Sequence, residues 1–171
     1  MQLHPTLRFA SYLRNFIFGV EDSLVSTVGL LSGVAIAGMD AHAIFVTGLV
    51  LIFVEAFSMG VGSYLSESSA EEFVEQAAVP VRNSLGSALI MFISYFVAGF
   101  IPLAPYLVIP VTSAFWWSIG FSLLALFLLG MIGGRLSGLS SRRYGFRMLI
   151  IGGIAIAIGV LVGTITDGGL G

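Results

Sequence analysis

Residues Ala43–Ser66 read AIFVTGLVLIFVEAFSMGVGSYLS, an apolar run whose single charge is Glu55. The hydrocarbon core of a bilayer, about 30 Å thick, needs about 20 such residues in helical form. A helix built from this run therefore spans a membrane, and the rest of the sequence is read around it. Four further runs have the same character: Phe16–Gly38, Leu85–Ile101, Ala114–Ile132 and Phe146–Ile165. The fold class expected is an all-α integral membrane protein with five transmembrane helices, forming a single transmembrane domain over residues 1–171.

Composition agrees. Of 171 residues, 57% are hydrophobic and 9% charged, and the mean hydropathy is +1.05. A soluble domain is about a quarter charged, so the solvent implied is lipid. The 22 glycines suit membrane helices that pack closely. The absence of cysteine excludes disulfides, iron–sulfur clusters and zinc–thiolate sites. The first apolar run is broken by Glu21 and Asp22 and lacks a small-residue cleavage site, so it does not read as a cleaved signal peptide. Pro102, Pro105 and Pro110 punctuate the third connection, and Trp116 and Trp117 fall where an interfacial aromatic belt lies.

Arginine sets the orientation. There is no lysine; Arg8 and Arg14 precede the first run, Arg82 precedes the third, and Arg135, Arg142, Arg143 and Arg147 flank the fourth connection. All gather on one side, which the positive-inside rule makes cytosolic, with the N-terminus there and the C-terminus outside. The stretch Glu67–Val81 then extends the second helix into the cytosol.

Charges inside spans are costly and mark function. Three acidic side chains occur, Glu21, Asp22 and Glu55, all in the first two runs. Asp22, Ser26, Gly29 and Gly33 share one helical face, as do Glu55, Met59, Gly62 and Ser66. At a rise of about 1.5 Å per residue, Asp22 sits roughly 12 Å and Met59 roughly 10 Å inside the cytosolic edge, with Glu55 one turn deeper. Carboxylate with thioether suits a borderline transition metal better than Ca²⁺ or Mg²⁺. Each residue also has a plainer reading. Met59 can pack against its neighbours, Asp22 can bond another helix, Glu21 can serve a pore mouth, and Glu55 can carry protons as well as metal. Gly29 and Gly33 form a GxxxG, read as a close contact at the axis of a dimer. Glu67, Glu71, Glu72 and Glu75 form an acidic cluster, with Glu67, Glu71 and Glu75 on one helical face, either simply solvated or collecting cations. His4 and His42 are isolated surface residues. No nucleophile triad, phosphate loop or nucleic-acid patch is present, so there is no case for an enzyme or a nucleic-acid partner.

At Asn15–Thr27 (NFIFGVEDSLVST) and Gly48–Ser66 (GLVLIFVEAFSMGVGSYLS) the chain resembles the vacuolar iron transporter family. Members carry FG-x-x-D-[GS]-LVS in helix one and A-x-SM-x-x-GEY-x-S in helix two. The resemblance implies a homodimer that exchanges Fe²⁺ or Mn²⁺ for protons, with the ion path between subunits and Asp22 and Met59 on it. The metal is then transported substrate, with no permanently bound cofactor. Ser63 stands where the family has the glutamate of GEY, and Glu55 stands where a small residue is usual. The large cytosolic metal-binding domain is shrunk to Glu67–Val81, leaving Glu67, Glu71, Glu72 and Glu75 as its candidate metal ligands. A prokaryotic cell membrane is expected rather than a vacuolar one. Competing with a metal exporter are a non-transporting scaffold and a passive cation pore on the same fold.

The orientation is checked by labelling. A Cys introduced at Ser141 in intact cells should resist a membrane-impermeant maleimide added outside and react only once the membrane is opened. Labelling from outside reverses the assignment.

Overall fold

The computed structural model describes residues 5–76 and 82–169, with side chains described for 9–76 and 84–166. The helices are α1 (Pro5–Ile36), α2 (Ala41–Glu75), α3 (Arg82–Leu103), the single turn α4 (Pro105–Val108), α5 (Val111–Leu136) and α6 (Ser141–Gly169). Five of them, all but α4, are long and apolar enough to cross a membrane, and no strand occurs among the described residues. The helices outrun the apolar runs at most ends, because polar turns such as LRFASYLRN at the start of α1 add backbone hydrogen bonds beyond the hydrocarbon. Helix α2 continues through Glu75, while residues 77–81 of the expected cytosolic stretch lie outside the described residues. So do His4 and the side chains of Arg8 and Arg82.

Local chemistry explains the helix ends. Gly38 and Gly138 take φ of +76° and +68°, a left-handed turn that favours glycine. There Met39 N–H returns to the Val34 carbonyl at 3.2 Å and Leu139 N–H to the Gly134 carbonyl at 2.8 Å, closing α1 and α5. Asp40 caps α2 by accepting from Ala43 N–H at 2.8 Å. The three prolines of the third connection each have a different place. Pro102 lies in the last turn of α3, Pro105 opens α4 and Pro110 caps α5. The Ser118 hydroxyl donates to the Pro102 carbonyl at 2.7 Å, tying α5 to this break.

Helix α1 is the hub. It packs against α3, α6, α5 and α2, and half of its spanning window is buried, against 11% for α6. Opposite Gly29 lie Ala155 and Gly159; opposite Gly33 lie Gly159 and Gly163. Residue numbers climb together, so α1 and α6 run parallel with their backbones touching. The GxxxG of α1 is thus spent inside the chain, against a second GxxxG in α6, and not on the dimer axis assigned to it from sequence. The spacing shows only that close approach is possible; it does not say which helix approaches.

Helices α1 and α3 are likewise parallel, since Tyr12 meets Gly86 and Gly19 meets Ser94. Helix α2 runs antiparallel to α3, with Gly48 on Leu103 and Gly60 on Phe92. A ladder of rings, Phe53, Phe92, Phe96 and Phe100, fills the α2–α3 seam at centroid spacings of 5.0–5.9 Å. One core cluster, Leu31, Ile44, Ile52, Leu103, Tyr106 and Ala114, is built on α1–α5, and a second joins Leu24, Ala98 and Leu126. Apolar side chains left outside, such as Val50, Phe57, Val97, Leu128 and Ile158, present a surface suited to lipid.

The glycine seam is testable. A methyl at Gly159 would collide with the Gly29 carbonyl, whereas one at Gly153 meets nothing within 4 Å. Gly159→Ala should therefore destabilise the fold by about 1–3 kcal/mol, and Gly153→Ala should not. Thermal unfolding of the purified variants in detergent reads the difference, and equal melting temperatures would contradict the close contact.

Candidate metal pathway

Helices α1 and α2 run antiparallel, with Asn15 beside Ser63 and Glu67 at one end and Leu31 beside Gly48 at the other. Asp22 and Glu55 fall between these contacts, within electrostatic reach of each other. Both are partly exposed in the single chain. Tyr95 of α3 is fully buried beside them. Its hydroxyl shares a hydrogen bond with Ser26 at 2.7 Å and lies within reach of both carboxylates. The Ser23 hydroxyl donates to the Tyr95 carbonyl at 2.6 Å, which fixes α3 against this part of α1. Two carboxylates within electrostatic reach repel, and a cation between them relieves the repulsion.

Met59 follows Glu55 by one turn of α2. It lines a cavity of about 660 Å³ between α1, α2 and α3, together with Arg14, Glu21, Ser63 and Met91, and neither Asp22 nor Glu55 is among the described lining residues. The cavity lies toward the arginine-rich end, since Met59 is one turn from Glu55 in that direction. Glu21, placed at a pore mouth or in a structural role from sequence, thus faces the same space as the thioether. It also lies within electrostatic reach of Arg147 on α6.

Glu67 has a structural role that the sequence did not reveal. Its carboxylate accepts hydrogen bonds from the Ser11 hydroxyl and, at 3.4 Å, from the Asn15 side-chain amide. Arg14 stands 3.7 Å away, largely exposed, while Glu67 itself is only 16% exposed. Ser63 donates to the Asn15 carbonyl oxygen at 3.2 Å, and Ser11 meets Ser87 of α3 at 3.3 Å. These contacts knot the ends of α1, α2 and α3 together. Glu67 is therefore engaged within the bundle, set apart from the acidic face. Glu71 is partly buried, and Glu72 and Glu75 are exposed near the end of α2. Among the described residues no three of His, Asp or Glu gather closely enough to hold a metal.

Three participants escaped the sequence reading. Asn15 carried a usable signal, being a polar residue seven positions before Asp22 on one helical face. Tyr95 and Met91 carried none, since a lone Tyr or Met in an apolar run reads as packing.

The sequence model of the VIT family matches residues 13–83 and 74–164, two segments that meet at the α2–α3 connection. Vacuolar iron transporter 1 of Tulipa gesneriana is 27% identical, covering 92% of this chain and 89% of its own length. The proteins of that name from Arabidopsis thaliana and Oryza sativa subsp. japonica are each 26% identical, over 85% and 90% of this chain and 82% and 86% of their own lengths. The tulip alignment runs to 219 positions against a chain of 171 residues, so the relative carries inserted sequence. These names speak of a vacuole and lend no support to a prokaryotic membrane. With five membrane-length helices and a family match that covers most of its length, the chain belongs to the VIT family of membrane proteins.

Proposed function

We propose that this chain is a secondary transporter that carries Fe²⁺ or Mn²⁺ out of the cytosol in exchange for protons, working as a homodimer with its ion path between the two copies. The observation that carries the reading is the pair of carboxylates, Asp22 and Glu55, held within reach of each other in the spanning parts of α1 and α2. Membrane burial makes such a pair expensive unless it serves an ion. The relatives are named as iron transporters, which favours iron as substrate and transport over catalysis.

What supports a homodimer is what one chain lacks. Both carboxylates are partly exposed, and charge facing lipid is unfavourable. A second copy over this flank would cover them and double the number of oxygen ligands. Protons enter through the same pair. When the metal leaves, the repelling carboxylates favour taking up a proton, so metal release and proton binding are coupled. The arginine-rich end faces the cytosol in this reading, and the exposed Glu72 and Glu75 there raise the local cation concentration.

Metal flux into proteoliposomes, with and without a pH gradient, tests the mechanism. Asp22→Asn keeps shape and removes charge, and should reduce Fe²⁺ flux by at least about a hundredfold, a loss of about 2.7 kcal/mol in stabilisation of the crossing ion. Glu55→Gln should separate metal movement from the pH gradient or stop both. Near wild-type Fe²⁺ flux in Asp22→Asn would overturn the role given to Asp22, and no Fe²⁺ flux through the unaltered chain would overturn the transporter reading in favour of a scaffold.

A further inference from the structure

Six methionines occur in the chain, and two of them, Met59 of α2 and Met91 of α3, line one cavity with a carboxylate of α1, Glu21. Met91 is only 2% exposed. Its sulfur lies against the bare backbone of Gly19, where a side-chain carbon would stand 3.2 Å away. That contact fixes the thioether two residues from Glu21. The remaining polar lining is neutral oxygen or amide from Asn15, Ser63 and Ser66, apart from Arg14, whose charge is partly offset by Glu67.

We propose that this cavity is a second metal site, built from Glu21, Met59 and Met91, which a divalent ion occupies before it reaches Asp22 and Glu55; the order of occupancy rests on the transporter reading. The two sites differ in chemistry. Asp22 and Glu55 offer carboxylate oxygen, which Mg²⁺ and Ca²⁺ accept as readily as a transition metal does. Two thioethers bind hard ions poorly and borderline or soft ions well. Glu21 supplies one negative charge, enough to retain a dehydrating cation yet weaker than a carboxylate pair, so the ion can move on. Arg147, within reach of Glu21, compensates that charge when the site is empty. The cavity thus filters by softness and the deeper pair holds by charge.

The test separates the sites by removing the deeper one. In the full chain carrying Asp22→Asn and Glu55→Gln, equilibrium binding of Cd²⁺ in excess Mg²⁺ should still show one site per chain. Adding Met91→Leu, which nearly conserves volume, should weaken Cd²⁺ by about tenfold or more, and Glu21→Gln should do the same. No Cd²⁺ binding to the double variant, or binding indifferent to both changes, overturns the site. In transport-competent protein, Met91→Leu alone should make Fe²⁺ flux about tenfold more sensitive to Mg²⁺; unchanged sensitivity overturns the filter. A wild-type chain that binds Cd²⁺ through Met91 yet moves no Fe²⁺ would sustain the site while removing the transporter reading.

Discussion

A carboxylate can stand at membrane depth only where it faces protein or water and not lipid. The arrangement of this bundle follows from that constraint. Helix α1 bears Glu21 and Asp22, and it is the helix with neighbours on most sides. Its small residues let those neighbours come close. Gly19 admits Met91 and Ser94 from α3, and Gly29 and Gly33 admit the backbone of α6. A helix of large side chains would hold α3 and α6 farther off and leave the charges open to lipid.

Close approach has to be held at both ends. At the arginine-rich end the knot around Glu67 does this with charge-assisted and neutral hydrogen bonds among α1, α2 and α3. Toward the other end the fastening is apolar, through Leu31, Ile44, Ile52 and Leu103. Asp22 and Glu55 lie between the two fastenings, and the 660 Å³ cavity opens on the arginine-rich side of them, beside that knot.

Sequence alone carried the architecture because membrane spanning is written in composition. Five apolar runs translate into five long helices with little dependence on tertiary detail. Helix ends were less legible, since turns such as those opening α1 are stabilised by backbone hydrogen bonds that hydropathy does not register. The site was legible only in its charges. Asp22 and Glu55 declared themselves by their cost, and the structure brings them within reach of each other. The distribution of partners was hidden. Shared spacing placed Met59 with Glu55 on one face, but spacing along one helix cannot show that Met91 of α3 and Glu21 of α1 line a cavity with it. Glu67 looked like one of four equivalent glutamates, and only the approach of Asn15 and Ser11 singles it out.

The parallel contact between α1 and α6 bears on how the protein is made. Gly33 and its partner Gly159 are far apart in the chain, so α1 enters the membrane well before α6, which carries its glycine partner, has been made. At about 5–20 residues per second of synthesis, that interval is on the order of 10 s. During it α1 holds its two acidic groups in the bilayer with α2, α3 and α5 as cover but one flank bare. Biogenesis must shelter that flank by another means, with water, lipid headgroups or the insertion machinery occupying the place that α6 finally takes.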